Sequence, residues 1–500
     1  MAGPGAYARL IGAAWVLIRS DALLPREAEA AYPSGVRSLG RVLRVFAGRE
    51  ARAGRPGERM ARSLERLGPV AIKLGQLLST RGDIFGRTFA EDLSSLKDRL
   101  PPFDERLARE EVTRELGQPL DAIFANFGEP VAAASLAQAH EATLIDGRRV
   151  AVKVLRPGIE RRVASDCGAL DLAGRLIARW IPLARRLEPR AFAATVIRTT
   201  ELELDLRLEA AGADELAEIM ARDGYMSAPR VVWEGVAKRV LTLEWAAGRP
   251  LSNETVLADP ALDRKALADN LTRAFLAQAL DHGVFHADLH EGNLFVVAPA
   301  RLVAVDFGII GRLGAVERRY LAEILWGFLQ RDYLKVAQTH FDAGYVPAHH
   351  SVAAFAQALR AVGESVFGRA ASQVAMSRVL TQLFEITALY DMRLRPELVF
   401  LQKTMMTVEG VARRIDPDHD IWAASEPVVR RWITRELSPI SKVRRFAGEA
   451  EAAIRSLARL AAIPPKTSPA STAENHRPIL WFALGALTSG VAFLLGLLLG

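Results

Sequence analysis

The chain has 500 residues, half of them hydrophobic and a quarter charged; that is globular composition, enough for two or three packed units, and it excludes wholesale disorder. The net charge of +7 suits nucleotide phosphates, anionic lipid heads or nucleic acid, and equally a basic surface of solvated arginines. A single cysteine, Cys167, excludes an intramolecular disulfide framework and a cysteine-based zinc site, and points to a reducing compartment.

Residues 1–57 are rich in Arg, Ala and Gly. Their apolar run, Leu10 to Ile18, is short and flanked by Arg9 and Arg19. No small-residue cleavage site follows it, so it is not read as a signal peptide. It reads either as an interfacial amphipathic helix or as a surface helix packed on the body. The loop Ala53-Gly54-Arg55-Pro56-Gly57 closes this extension. From Glu58 through Leu78, the residues Leu64, Leu67, Ala71, Leu74 and Leu78 recur at three- and four-residue steps and predict a helix. Pro101-Pro102 marks the next boundary, and Phe103-Asp104-Glu105 opens another helix.

From about Val131 the pattern becomes strand-like. Ala139 to Leu144, a turn at Asp146-Gly147, and Arg149 to Leu155 predict a β-hairpin. Its second strand holds Val150-Ala151-Val152-Lys153, similar to the strand lysine of protein kinases. A lysine there neutralises nucleotide phosphates and needs a carboxylate to fix it. Taken alone, Lys153 would be an exposed strand lysine. Ahead of the hairpin, where a glycine-rich phosphate loop would stand, the chain reads Ala132-Ala133-Ala134-Ser135. Alanine does not readily reach the positive φ values that glycine can, so phosphates must be cradled differently. No Gly-Lys dipeptide occurs anywhere, which excludes a Walker A loop.

A helical region is predicted from Glu160 to Met220, broken near Pro182 and Pro189. Within it, Glu201, Glu203, Asp205 and Glu209 are candidate partners for the lysine. If this stretch is helical, Asp205 and Glu209 share a face at i and i+4; without a lysine partner they read as a solvated face. Val240 to Glu244 is a strand candidate. The region from Leu262 to about Ala462 is mainly helical, interrupted by loops around Asp288 and Asp306. The strongest signal lies there. His286-Ala287-Asp288-Leu289-His290-Glu291-Gly292-Asn293 is followed by Asp306-Phe307-Gly308. A kinase catalytic loop places Asp, then Asn five residues later, then Asp-Phe-Gly after the next strand. Asp288 can orient an attacking hydroxyl or take its proton, and Asn293 and Asp306 offer hard oxygen ligands for Mg²⁺. Two solvated turns are the alternative. His282, His286 and His290 would stack as metal ligands on a helix, but the loop after Asp288 breaks that register.

Residues 463–478, with Pro464, Pro465 and Pro469, read as a linker. Ile479 to Leu499 carries no charged residue and as a helix would span about 31 Å, predicting a transmembrane helix. Lys442, Arg444, Arg445, Arg455, Arg459, Lys466 and Arg477 precede it, so the positive-inside rule keeps the N-terminal part in the cytoplasm. The spacing of Gly496 and Gly500 suits helix pairing in a homodimer, with incidental spacing as the alternative.

Taken together, these residues resemble the UbiB family of atypical kinases, which support ubiquinone biosynthesis. The family's KxGQ motif is matched by Lys73-Leu74-Gly75-Gln76, its alanine-rich loop by Ala132 to Ser135, and its ExD motif by Glu203-Leu204-Asp205; Glu209 matches the partner of the strand lysine. Gly212 departs from the pattern, standing where relatives often have Asn. The resemblance implies an α+β, bilobal protein-kinase-like fold. Its expected parts are an N-terminal extension (1–57), a helical KxGQ extension (58–125), a small β-containing N-lobe (126–245) and a helical C-lobe (246–462), then the linker (463–478) and transmembrane helix (479–499). It implies ATP and Mg²⁺ as cofactors, with catalytic Asp288 and Lys153, metal-binding Asn293 and Asp306, and nucleotide contacts from Ala133, Ala134, Ser135, Lys153 and Glu209. Lys73, Gln76, Glu203 and Asp205 would form a gate. The expected activity is that of an ATPase or a small-molecule or lipid kinase, at the cytoplasmic face of the inner membrane. Membrane lipids, a quinone precursor and ubiquinone-biosynthesis enzymes are the expected partners, and nucleic acid is not. A nucleotide-binding scaffold without catalysis and a hydroxylase of the quinone ring are the alternatives; the latter would need a flavin or iron site, and no dinucleotide loop or ligand cluster suggests one.

Overall fold

The computed structural model describes residues 4–31, 34–52, 54–79, 86–94, 96, 101–180, 188–366, 386, 389–392 and 396–436. The chain divides into two compact units, Met1–Arg435 and Glu436–Gly500, and the described residues belong to the first apart from Glu436.

The first unit opens with helix α1 (Pro4–Arg19). The single helix predicted from Glu58 through Leu78 is in fact two, α2 (Pro56–Leu67) and α3 (Pro69–Ser79). Gly68 ends α2 at φ 105°, a conformation that side chains resist, and a Cβ there would meet Nη2 of Arg162 at 2.6 Å. Pro69 then opens α3, where a missing N–H costs nothing. Helix α4 (Arg87–Ser94) packs beside both. Gly75 is what allows the close approach: a Cβ at this position would lie 2.3 Å from Leu96 Cδ1 and 2.6 Å from Leu64 Cδ1. Helix α5 (Glu105–Leu116) is capped by the Asp104 side chain and ended by left-handed Gly117.

The predicted hairpin is present as β2 (Ala137–Leu144) and β3 (Arg149–Leu155), joined through Gly147 at φ 86°. Together with β1 (Phe124–Ala133) and β5 (Val240–Glu244) they form an antiparallel sheet in the order β1-β2-β3-β5. Side chains alternate across a strand. Val150, Val152 and Val154 therefore enter the core with Phe124 and Phe127, against Val112 of α5. Lys153 is thereby turned to the opposite face. One register row across the sheet holds Ala132, Ala139, Lys153 and Leu241. The long helical region between β3 and β5 comprises α6 (Ile159–Trp180), α7 (Pro189–Leu202) and α8 (Leu206–Asp223). Helix α1 packs on α6, where Arg9 pairs with Asp166 and donates to the Leu67 carbonyl at 3.0 Å.

The second lobe is mainly helical. Its core forms around Leu271 and Phe275 of α9 (Arg264–Ala277), with Phe285, Leu294 and Phe307 beside them. A small sheet in the order β4-β9-β8-β6 combines Met226–Ser227 (β4), Arg249–Pro250 (β6), Leu294–Val297 (β8) and Arg301–Ala304 (β9). Val284–His286 (β7) pairs with Ile310–Arg312 (β10). The helices Ala315–Leu329 (α10), Tyr333–Asp342 (α11), Val352–Val366 (α12), Pro396–Ile415 (α13) and Ile421–Glu436 (α14) complete the described part.

One expectation is corrected. Among the described residues no helix is long and apolar enough to cross a membrane. Helix α6 has the length, at 22 residues, but carries Glu160, Arg161, Arg162, Asp166, Asp171, Arg175 and Arg179, charges that hydrocarbon would not tolerate. The transmembrane helix placed on 479–499, and the single-pass inner-membrane location built on it, are therefore not supported. That segment, the linker at 463–478 and the Gly496–Gly500 pair all lie outside the described residues.

Candidate functional site

The centre of the site is an ionic triad drawn from three elements. The Lys153 ammonium donates to Glu209 at 2.7 and 3.0 Å and to Asp306 Oδ1 at 3.2 Å. The Glu209 side chain is only 10 % exposed and that of Asp306 is 53 % exposed. Burial opposes the charge on Lys153, but Asp306 and Glu209 together outweigh it and hold the ammonium above its usual range. In return the Lys153 charge holds Asp306 well below the ordinary carboxylate range, with Lys73 adding to the effect. Asp306 itself has φ 60°, a left-handed backbone uncommon for a non-glycine residue. The turn it makes lets Phe307 bury into the lobe core.

The predicted catalytic loop is fixed from below by His286. Its ring is buried and packs tilted against Phe307, with ring centroids 5.3 Å apart. One ring nitrogen, Nδ1, accepts the Asp288 N–H at 3.1 Å, and Nε2 donates to the Val305 carbonyl at 3.2 Å. The neutral tautomer thus ties the Asp288 loop to the Asp306 turn. Asn293 is buried and donates its side-chain N–H to the Asp288 carbonyl at 3.1 Å, leaving its side-chain oxygen as a donor for a cation. Its own carbonyl accepts Val305 N–H at 2.9 Å. These bonds bring Asp288, Asn293 and Asp306 to one place.

The KxGQ helix reaches this place through Lys73, whose charge acts on Asp306. Lys73 Nζ pairs with Glu203 Oε1 at 2.8 Å, and both side chains are 15 % exposed. Gln76 lies one turn further along α3, on the same face as Lys73. Asp205 behaves differently from its reading. The chain from Glu201 to Glu209 is not one helix, because Asp205 is the N-cap of α8: it accepts Arg207 N–H at 3.2 Å and the Arg207 guanidinium at 2.6 and 2.8 Å. It therefore positions Glu209 one turn inside α8 and does not share a helical face with it. The alanine-rich segment is the tip of the β1–β2 hairpin. Ala134 N–H donates to the Ala137 carbonyl at 2.8 Å, and the Ala134 carbonyl accepts Arg156 Nε at 3.0 Å. Ala133 ends β1, and Ser135 is buried. Gly212, the departure from the family pattern, faces Ile310, whose Cδ1 would lie 2.2 Å from a Cβ; that space is already filled.

The three histidines do not gather. His282 bonds Asp223 at 3.0 Å, His286 is committed as described, and His290 Nδ1 accepts from Gly292 N. Among the described residues, the one group able to bring three such ligands together is His349, His350 and Asp391, away from the triad. Sequence reasoning missed the part that α13 plays. Thr404 donates its hydroxyl to the Ala287 carbonyl at 3.0 Å, Lys403 Nζ stands 3.8 Å from Asp288 Oδ1, and Arg414 pairs with Glu291. One signal was available: residues 284–300, which contain the predicted catalytic loop, include no lysine or arginine.

The buried histidines carry a pH prediction. Burial pushes His140, His286, His340 and His419 below the usual imidazole value. Their folded pKa values lie below the unfolded one, so the unfolded chain takes up more protons as pH falls. Stability is complete above about pH 6.5 and is lost below it, by up to ~1.4 kcal/mol per pH unit for each histidine. Melting temperature measured from pH 8 to pH 5 is expected to be flat above pH 7 and to fall below 6.5; a flat profile throughout would contradict this.

Comparison with known proteins agrees with the geometry. Residues 95–340 match the family model of the ABC1 atypical kinase-like domain, and residues 359–420 match that of the UbiB helical domain. The chain is 38 % identical over 400 residues to a protein from Pseudomonas aeruginosa named Probable protein kinase UbiB, covering 79 % of this chain and 75 % of that one. It is 38 % identical over 388 residues to the protein of that name from Marinobacter nauticus, covering 77 % and 71 %. Among solved structures, the complex of Rv3197 with erythromycin from Mycobacterium tuberculosis aligns with a TM-score of 0.52 at 24 % identity, over 73 % of this chain and 93 % of that one. That likeness concerns the fold alone, and supports the kinase-like, two-lobed arrangement.

Proposed function

The chain belongs to the UbiB family of atypical kinase-like proteins, and from that premise we propose that it transfers the γ-phosphoryl group of Mg-ATP to water, or to a small or lipid acceptor, in support of ubiquinone biosynthesis. The observation that carries this reading is the triad of Lys153, Glu209 and Asp306 beside Asp288 and Asn293. Lys153 would turn its charge to the nucleotide phosphates while Glu209 keeps it in place. Ala133, Ala134 and Ser135, at the hairpin tip, would approach the phosphates. Asp306, half-exposed and already ionised, and Asn293, with its side-chain oxygen unspent, are the hard oxygen donors that Mg²⁺ prefers. When bound, that ion would neutralise the phosphate charge. Asp288 would orient the attacking hydroxyl. Its oxygen forms the new bond to the γ-phosphorus, the bridging oxygen leaves with ADP and its electron pair, and the hydroxyl proton passes to Asp288 or to phosphate.

The Lys73–Glu203 pair supports a small acceptor over a peptide. It ties the KxGQ helix to Glu203 just ahead of the helix that carries Glu209, and a helix so held would exclude water and large substrates on closing. The test is steady-state phosphate release from Mg-ATP, with and without a phenolic quinone precursor. Wild type is expected to turn over, and Asp288→Asn to lose at least ~10²-fold. Equal release from the two proteins would leave a nucleotide-binding scaffold as the better reading.

A further inference from the structure

Phosphoryl transfer builds negative charge on the equatorial oxygens of the moving group, and positive groups near the acceptor side lower the barrier. The catalytic loop cannot supply such a group itself, since residues 284–300 contain no lysine or arginine. The Lys153 ammonium is engaged by Glu209 and Asp306, and Lys73 is paired with Glu203. On the Asp288 side stands Lys403, whose Nζ lies 3.8 Å from Asp288 Oδ1. That is too long for a hydrogen bond, so the ammonium is near its carboxylate without being locked to it. Its side chain is 35 % exposed, and that of Asp288 is 29 % exposed.

The position of Lys403 is not incidental to a loose surface helix. The neighbouring Thr404 is buried and donates to the carbonyl of Ala287, the residue before Asp288. Further along α13, Arg414 pairs with Glu291, on the other side of Asp288. Val408 and Ala412 of the same helix are fully buried in the lobe core. Helix α13 is therefore pinned to both sides of the catalytic loop, and Lys403 stands next to the first pin, Thr404.

We propose that Lys403 supplies, from the helical subdomain, the cation that the catalytic loop lacks: its ammonium would leave Asp288 and bear on the γ-phosphoryl group during transfer. This rests on the phosphoryl-transfer reading given above and names a further residue of that site. A charge that acts on the moving group should change turnover more than nucleotide affinity. Lys403→Met is expected to lower kcat by ~10²-fold while the KM for ATP stays within about twofold. Lys403→Arg keeps the charge and should recover most of the rate. The melting temperature of both should match wild type, since the Thr404 and Arg414 contacts are untouched.

A second arm is independent of turnover. Mg-ADP with aluminium fluoride mimics the transferring phosphoryl group. Its extra affinity over Mg-ADP alone should fall at least ~10-fold in Lys403→Met and return in Lys403→Arg. If wild type binds nucleotide and releases phosphate, and Lys403→Met matches it in rate and analogue affinity, the role of Lys403 is overturned by itself. Failure of Lys403→Arg to recover, with a lowered melting temperature, would make the residue structural and overturn it too. If wild type neither binds Mg-ADP nor releases phosphate, the phosphoryl-transfer reading falls and this inference falls with it.

Discussion

Asp306→Asn is expected to lower phosphate release from Mg-ATP by about 10³-fold, the largest effect of any single isosteric change in this chain. Two losses combine. The substitution removes the one ionised oxygen donor that Asn293 would share an ion with. It also removes a charge that helps to hold Lys153, which now turns to Glu209 alone. Stability should change little, because the Asp306 side chain is 53 % exposed and its attraction to Lys153 is screened by water. The effect should therefore show in the metal and not in the fold. Wild type should bind ADP more tightly with Mg²⁺ than without it, and the variant should bind both alike. If Asp306→Asn keeps the magnesium dependence, Asp306 does not hold the ion.

Lys153→Met should instead damage fold and function together. Glu209 keeps its burial and loses the partner at 2.7 Å. An unpaired buried carboxylate of this kind costs about 3–5 kcal/mol. The same residue can escape that cost by taking up a proton. Burial already raises its pKa against the pull of Lys153, and without Lys153 the folded value rises further above the unfolded one, so the loss is smallest below about pH 4.3 and grows as pH rises through the folded value. The melting difference from wild type should thus be larger at pH 8 than at pH 5. Lys153→Met/Glu209→Gln removes the stranded charge and should recover most of the melting temperature. It should not recover nucleotide binding, because the strand cation assigned to the nucleotide phosphates is gone. If the double variant melts no higher than the single one, the Lys153–Glu209 pair is not what stabilises this junction.

The contrast between these two substitutions shows what could be read without coordinates. Val150-Ala151-Val152-Lys153 announces a strand, and its alternation alone implies that the lysine and the valines face opposite ways. Asp288, Asn293 and Asp306 are legible as candidates because the phosphoryl transfer proposed above asks for those residue types at near-fixed spacing within one short stretch. Local chemistry was legible in the turns as well: Asp146-Gly147 closes the hairpin, and Asp104 caps its helix. Where the reading failed locally, two structures were compatible with one pattern. The apolar period through Leu64, Leu67, Ala71 and Leu74 continues across Gly68-Pro69 although the helix does not. The acidic run from Glu201 to Glu209 keeps helical spacing although one helix ends at Leu202, with Glu203 as its C-cap, and Asp205 caps the start of the next.

The sequence by itself determined the kinase-like family and the alternating strand that aims Lys153, because both depend on residues close together along the chain, where covalent geometry and side-chain period leave little choice. The family resemblance already named Glu209 as the partner of Lys153; only the tertiary structure decided that Asp306 joins them, that Lys73 pairs with Glu203, and that α13 reaches back to the Asp288 loop and sets Lys403 beside Asp288. Those contacts join segments far apart in sequence. They are selected by how the core packs around Phe275, Phe285 and Phe307, and no local pattern encodes that packing.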